Sequence, residues 1–274
     1  MPVTTKPTSA VSERDFVVFG ARNAKPRCDT CAVRDQSLCG DLAATGLADL
    51  ASIKLNDRFF PAGAEIVQQG ESNDEFYVVA EGWALQYEIL PDGGRQILDF
   101  ALPGTIIGFS PDRAAAATFA AQALTGVRAC SFARAGLTKL VEHSPTIGFK
   151  LACLLASGQA QAYRHLTLIG RRNAKERVAA LLLELFCRLR GHACRTPATQ
   201  VQLPLTQEHI GDAIGLTNVH VNRMLRELRE DGILELKRGN LRILDPDRLA
   251  EIAGFEGDVP FVKSPRLGQA ARAA

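Results

Sequence analysis

Two short amphipathic segments separated by a glycine lie near the C-terminal end of the chain, in LTQEHIGDAIGLTNVHVNRMLRELREDGIL (205–234). Thr206 predicts the N-cap of a first helix, and Gly215, which tolerates positive φ, predicts the turn that ends it. Thr217 predicts the N-cap of a second helix, whose apolar residues fall on one side and whose other side is polar. This pattern predicts a helix-turn-helix, in which the second helix enters the DNA major groove.

The polar side of the second predicted helix carries side chains suited to bases and phosphates. They are Thr217, Asn218, His220, Asn222, Arg223 and Arg226. After this helix, a strand at 233–236, a basic turn and a strand at 241–244 predict a β-hairpin wing. Lys237 and Arg238 in that turn can contact phosphates. The order of helix, turn, helix and wing indicates a DNA-binding domain rather than a helical hairpin that only packs.

Three cysteines near the other end of the chain form the pattern C-x2-C-x7-C. They are Cys28, Cys31 and Cys39. The spacing alone leaves zinc, an iron–sulfur cluster and a redox-active dithiol open as interpretations. Such sites usually use four ligands, so we expect one further ligand elsewhere in the chain. The remaining cysteines are Cys130, Cys153, Cys187 and Cys194.

The sequence between these two motifs changes from strand-like to helical. Short apolar runs punctuated by glycines over 55–132 predict a β-roll or jelly roll. From Ser144 to Gly170 the apolar residues make one stripe at helical spacing. A long helix with a single apolar seam commonly packs against a copy of itself, which predicts a homodimer.

Composition limits the classes of protein that need to be considered. The 274 residues are 46% hydrophobic and carry a net charge of only +2, so nucleic-acid binding should be localised on one surface. No apolar run approaches the length of about 18 residues that a membrane span needs. The first residues lack the apolar core of a secretory signal, which predicts a cytoplasmic protein. No nucleophile–base pattern indicates an enzyme.

Three further segments carry a resemblance to a known family. They are P-A-G-x-x-I-x-x-x-G (61–70), FYVVAEG (76–82) and LIGRRNAKERVAALLLEL (168–185). The chain resembles the cyclic-AMP receptor protein family of bacterial transcription regulators, and more narrowly its oxygen-responsive fumarate and nitrate reduction regulators. The resemblance implies an α+β fold with an N-terminal β-roll of the cyclic-nucleotide-binding type, a long dimerisation helix and a C-terminal winged helix-turn-helix.

In the oxygen-responsive subgroup, three N-terminal cysteines and one β-roll cysteine hold a [4Fe-4S] cluster. The segment AQALTGVRACSF (121–132) is similar to the one that bears the fourth ligand. The resemblance therefore implies ligation by Cys28, Cys31, Cys39 and Cys130. It also implies that the cluster controls dimeric binding to a palindromic DNA operator and that RNA polymerase is a partner. A regulator of the same fold that uses zinc, thiol oxidation, haem or no cofactor is the alternative.

The chain departs from the family pattern in its long helix, its recognition helix and its β-roll. No Asp or Glu occurs between Leu151 and Gly170, and Ala162 stands where the resemblance leads us to expect an acidic residue. Val219 replaces a common glutamate, and Asn222 replaces the serine of the subgroup. Phe109 stands where cyclic-AMP-binding members carry a glutamate, so we expect no cyclic AMP binding.

These observations predict six segments. They are a disordered N-terminus (1–20), a cysteine cluster loop (21–45), a β-roll sensor domain (46–143), a dimerisation helix (144–171), a winged helix-turn-helix domain (172–254) and a disordered tail (255–274).

Overall fold

A computed structural model describes Cys28 and residues 31–40, 42–110, 116–192 and 200–255. The predicted disordered N-terminus lies outside these residues, as does the predicted tail apart from Phe255. Along the described part of the chain, no helix is long and apolar enough to cross a membrane.

Two four-stranded antiparallel sheets form the predicted β-roll. The strands are β1 (Lys54–Phe60), β2 (Glu65–Val67), β3 (Glu75–Glu81), β4 (Ala84–Ile89), β5 (Arg95–Ala101), β6 (Ile106–Ile107), β7 (Ala120–Ala123) and β8 (Val127–Ala133). One sheet has the order β1-β8-β3-β6 and the other β2-β7-β4-β5. Side chains alternate along β8, so Val127 and Ala129 point into the roll while Cys130 and Phe132 point away from it.

The outward side of β3 and β8 is covered by helices and by the cysteine-containing segment. These helices are α1 (Ala44–Ser52), α2 (Arg134–His143) and α3 (Pro145–Arg171). Together they bury an apolar group that we call the outer cluster, made of Leu38, Leu42, Leu50, Phe76, Val78, Phe132, Leu140, Ile147 and Leu151. The predicted long helix is confirmed as α3, whereas α1 and α2 were not predicted.

The C-terminal domain is the predicted winged helix-turn-helix. Its helices are α4 (Ala174–His192), α5 (Gln207–Ile214), α6 (Asn218–Glu230) and α7 (Pro246–Ala253), and its strands are β9 (Gln200–Gln202), β10 (Leu234–Lys237) and β11 (Asn240–Ile243). Gly215 has the positive φ of 66° that the predicted turn requires. The wing hairpin is confirmed, and β9 adds an unpredicted third strand that pairs with β11.

The β-roll and the C-terminal domain meet along β5 and α5. Both nitrogens Nε and Nη2 of Arg95 donate to Asp212 Oδ2, at 2.9 and 2.7 Å, and Gln96 Nε2 donates to the Ala213 carbonyl at 3.1 Å. A continuous apolar group, the shared core, runs through both parts. It includes Trp83, Leu85, Ile97 and Phe100 from the roll and Leu182, Leu185, Ile210, Val221, Leu228 and Leu234 from the C-terminal domain.

Candidate nucleic-acid interface and cysteine site

Helix α6 presents one buried and one exposed side, as its sequence predicts. Val221, Met224 and Leu228 are buried against the rest of the domain. At its start, the Thr217 hydroxyl accepts a hydrogen bond from the backbone N–H of His220 at 3.4 Å. This N-cap defines where the recognition helix begins and therefore which side chains its first turn exposes.

A shallow concave surface lies on the exposed side of the helix-turn-helix. It is lined by Gln207, Asn218, Val219, Asn222, Arg223 and Arg226. The Asn222 amide donates through Nδ2 to Gln207 Oε1 at 3.2 Å, which joins α6 to the first turn of α5. Of the predicted DNA-contacting residues on α6, four line this surface, and His220 is exposed beside it.

Gln207 and Val219 belong to the same surface but were not predicted as site residues. Val219 precedes Asn222 and Arg223 by three and four positions, and this spacing places the three side chains on one side of a helix. That signal was available in the sequence. The approach of Gln207 is a tertiary contact between two helices, and periodicity within one helix does not reveal it.

The two arginines of this surface are held only loosely. Arg223 Nε lies 4.0 Å from Glu227 Oε1, and Arg226 Nε lies 3.7 Å from Glu230 Oε1. Their side chains are 55% and 59% exposed, respectively. Exposed pairs of this kind contribute about 0.3–0.5 kcal/mol, so both guanidinium groups can exchange these partners for DNA at little cost.

The tip of the wing is a two-residue turn. Arg238 and Gly239 have φ values of 49° and 77°, the positive values expected for a tight hairpin connection. Lys237 forms an ion pair with Glu235, and this hydrogen bond lowers the pKa of the Glu235 carboxyl. Lys237 and Arg238 are both exposed, so the structure places the two predicted phosphate-contacting cations at the tip.

The cysteine-containing segment packs against the outward side of the β-roll. Cys39 and Cys130, which are distant in sequence, both contact the outer cluster. Cys130 lies in the middle of its sheet, paired with Asp57 on β1 and Val78 on β3. The Cys39 backbone N–H donates to Ser37 Oγ at 3.2 Å, which orders the turn before this ligand candidate.

Burial raises the pKa of two of the candidate ligand thiols, Cys39 and Cys130. It raises the pKa of the Cys39 thiol; the Ser37 hydrogen bond opposes this shift, and nearby Cys28 and Cys31 add to it. Burial also raises the pKa of Cys130 to about 12, although neighbouring Lys54 opposes the shift.

The pKa of Lys54 is affected by thiols from two parts of the chain, Cys28 and Cys130. Its pKa is raised, because its hydrogen bond to Asp57 and the nearby Cys130 and Cys28 thiols outweigh the opposing effect of burial. Lys54 Nζ lies 2.7 Å from Asp57 Oδ1. Nevertheless, within the described ranges no three or more Cys, His, Asp or Glu side chains are positioned to hold a metal ion. Cys39 and Cys130 therefore share one apolar cluster, while the described residues contain no preassembled ligand set.

Comparison with known proteins supports the assignment of both domains. Residues 176–252 match the Crp-like helix-turn-helix domain, and residues 57–144 match the cyclic nucleotide-binding domain. The nitrogen fixation regulation protein FixK of Bradyrhizobium diazoefficiens is 33% identical over 226 residues, which cover 82% of this chain and 93% of FixK. The chain belongs to the CRP/FNR family of transcription regulators.

Other CRP/FNR proteins extend the comparison. The transcriptional activator protein FnrL of Cereibacter sphaeroides is 30% identical, over 85% of this chain and 94% of FnrL. The solved structure of FixK2 from Bradyrhizobium japonicum superposes with a TM-score of 0.67 and 29% identity, covering 75% of this chain and 100% of FixK2. This CRP/FNR chain is a DNA-binding transcription regulator and not an enzyme.

The match to the cyclic nucleotide-binding domain covers the β-roll and α2. Phe109, which stands where cyclic-AMP-binding members carry a glutamate, packs against Phe76 edge to face with ring centroids 6.0 Å apart. Phe109 also contacts the outer cluster. A phenyl ring supplies no acceptor for a ribose hydroxyl, so the expectation that this regulator does not bind cyclic AMP stays a prediction with a physical reason.

Proposed function

We propose that this regulator responds to oxygen through a [4Fe-4S] cluster held by Cys28, Cys31, Cys39 and Cys130. The observation that carries the proposal is the contact of both Cys39 and Cys130 with the outer cluster. Thiolates are the ligands that iron–sulfur clusters use, and Cys39 and Cys130 approach the same apolar cluster from distant parts of the sequence. The four residues thus fit such a group in donor type.

The raised pKa values of Cys39 and Cys130 make these two thiols unsuited to free-thiol redox sensing. Raised pKa values keep Cys39 and Cys130 protonated at neutral pH, where a thiol is a poor nucleophile. Binding of iron must displace these protons, so metal uptake should strengthen as the pH rises. A low-pKa, exposed cysteine is what a thiol switch requires, and neither residue meets that description.

The two histidine candidates for haem ligation differ. His165 Nε2 lies 2.8 Å from the Ala213 carbonyl, so that nitrogen already has a backbone partner. His143 uses Nδ1 for its 2.8 Å contact with the Lys139 carbonyl and keeps Nε2 for a ligand, so haem remains a competing hypothesis at that residue. The zinc-bound and the cofactor-free regulators are further competing hypotheses, and the lack of a preassembled ligand set within the described ranges favours the cofactor-free one.

The cysteine-containing segment packs directly against the proposed dimer helix, α3. A bound cluster would supply an oxygen-labile group anchored by thiolates. Leu38, the neighbour of Cys39, is fully buried in the outer cluster together with Ile147 and Leu151 of α3. The chain's own packing thus ties the position of the cysteine-containing segment to the first half of α3.

Helix α3 carries the surface through which we propose that two copies associate. Phe149, Leu155, Tyr163 and Leu166 are among the most exposed large apolar side chains of the described residues. Covering them with a second copy would remove this apolar area from water. A two-fold dimer presents its recognition helices about 34 Å apart, which selects a palindromic operator. We include contact with RNA polymerase in the same proposal, because the resemblance implies that such regulators act on transcription through it.

Iron and sulfide analysis of protein purified without oxygen tests the cluster. We expect about four irons per chain and a brown colour that bleaches in air. Serine at any one of Cys28, Cys31, Cys39 and Cys130 should abolish the colour, because each supplies a ligand. Cys153→Ser and Cys187→Ser are the matched controls and should retain it: Cys153 is exposed on α3, and Cys187 packs against the shared core.

Two results would contradict the cluster proposal. A full cluster in Cys130→Ser would remove that residue from the ligand set. A colourless wild-type protein that contains zinc or no metal would leave a DNA-binding regulator that responds to another signal.

A further inference from the structure

Val219 has an apolar side chain that the single chain leaves exposed to solvent. It is 77% exposed, the highest value among the large apolar side chains exposed in the described part of the chain. It is the second residue of α6, in the turn that follows the Thr217 cap. The first turn of a recognition helix is the part that reaches the base edges in the major groove.

The surroundings of Val219 indicate what it contacts. Asn222 and Arg223 stand one turn further along α6 on the same side, and all three line the concave surface. The Gln207 amide accepts the Asn222 hydrogen bond at 3.2 Å and so fixes the wall next to Val219. An isopropyl group therefore projects between hydrogen-bonding side chains towards the space that the major groove would occupy.

The major groove offers only one apolar group at the base edges of unmodified DNA. Adenine, guanine and cytosine present donors and acceptors there, whereas thymine adds its C5 methyl group. A valine side chain makes no hydrogen bond, so it can discriminate between bases only by apolar contact or by steric exclusion. Its branched end and the thymine methyl are suited to each other by size and polarity.

We propose that Val219 is a specificity residue that reads the C5 methyl group of one thymine in each half-site of the operator. This inference rests on the proposed binding of α6 in the major groove. Val219 would contact the base by apolar packing, while Asn222 and Arg223 beside it would contact bases by hydrogen bonds.

Replacement of thymine by deoxyuridine tests the proposal, because it removes only the methyl group. The preferred palindrome is first selected from random DNA with the full-length chain. Each thymine is then replaced symmetrically in both half-sites, and affinity is measured by fluorescence anisotropy. We expect one position at which deoxyuridine weakens binding roughly 4- to 15-fold, the scale of losing one to two buried methyl contacts over the two half-sites.

Two variants separate this contact from other effects. Val219→Ala should bind the thymine operator more weakly and should no longer distinguish thymine from deoxyuridine at that position. His220→Ala is the matched control, because His220 is an exposed neighbour that does not line the concave surface. It should keep the full discrimination, whatever its effect on total affinity.

The outcomes separate this inference from the proposed function. Site-specific binding that no deoxyuridine weakens would overturn the inference alone, as would unchanged discrimination in Val219→Ala. A chain that selects no DNA sequence at all would overturn the proposed palindrome recognition, and the inference with it.

Discussion

At the scale of single residues, Arg223 is the side chain best placed for a hydrogen-bonded base contact. Its guanidinium is exposed, lines the concave surface and has a weak ion pair with Glu227 at 4.0 Å. Two parallel hydrogen bonds to guanine O6 and N7 suit its planar group. We therefore expect Arg223→Ala to cost about 1–3 kcal/mol of binding to the cognate operator.

Competition with unrelated DNA distinguishes a base contact from a phosphate contact. In Arg223→Ala the loss should fall mainly on the cognate site, so the ratio of specific to non-specific affinity should drop. Lys237→Ala at the wing tip is the control, since loss of a phosphate contact should weaken both kinds of binding alike. Unchanged cognate affinity in Arg223→Ala would exclude this arginine from base reading.

At the scale of secondary-structure elements, a polar network joins α4, α3 and β5. Arg188 Nη1 lies 2.9 Å from Asp99 Oδ1, and its Nη2 donates to the Phe100 carbonyl at 2.7 Å. Gln161 Nε2 donates to both Asp99 Oδ1 and Glu184 Oε1 at 2.9 Å. Burial raises the pKa of Glu184; Arg188 opposes the shift and Asp99 adds to it. These contacts couple the β-roll to the first helix of the DNA-binding domain.

Loss of the central cation should destabilise this junction. Arg188→Met leaves Asp99 and Glu184 without their shared cation in a partly buried site, where Gln161 alone still donates to both, and we expect it to lower the free energy of unfolding by about 1–3 kcal/mol. Urea unfolding can be followed by the fluorescence of Trp83, which lies in the shared core. The control Arg58→Met breaks a more exposed pair with Glu75 and should cost at most about 1 kcal/mol. Equal losses of unfolding free energy in the two variants would mean that the network stabilises the fold no more than a surface ion pair does.

At the scale of the whole molecule, the apolar side of α3 decides the oligomeric state. Leu155, Ala162 and Leu166 follow one another at heptad-like spacing, and all three are exposed in the single chain. No Asp or Glu interrupts the helix from Leu151 to Gly170. Without an acidic residue to repel its counterpart, we expect the wild-type chain to be dimeric both with and without iron.

A negative charge in this apolar stripe of α3 should prevent two chains from forming a dimer. Leu166→Glu places two carboxylates near the two-fold axis, which should give a monomer in sedimentation velocity and abolish operator binding. Arg164→Glu is the control, because nine residues from Leu155 place Arg164 half a turn away from the stripe. A dimeric Leu166→Glu variant would show that the proposed interface lies elsewhere.

The sequence anticipated the local structure where residue type and spacing suffice. Thr206 and Gly215 were predicted as cap and turn, and the structure confirms both: the Thr206 hydroxyl accepts from the His209 backbone, and Gly215 has positive φ. Helices α1, α2 and α7 and strand β9 were not predicted. Strand β9, for example, is only Gln200–Gln202 and depends on pairing with β11.

The sequence by itself determined the order of the elements, the buried and exposed sides of α3 and α6, and the residue types available as ligands and base contacts. These follow from propensities and periodicities that act within a few residues. Only the tertiary structure decided that Gln207 meets Asn222, that Arg188 meets Asp99, and that Cys39 and Cys130 share one apolar cluster. Such contacts join residues on different elements, and their geometry depends on how the elements pack rather than on any local pattern.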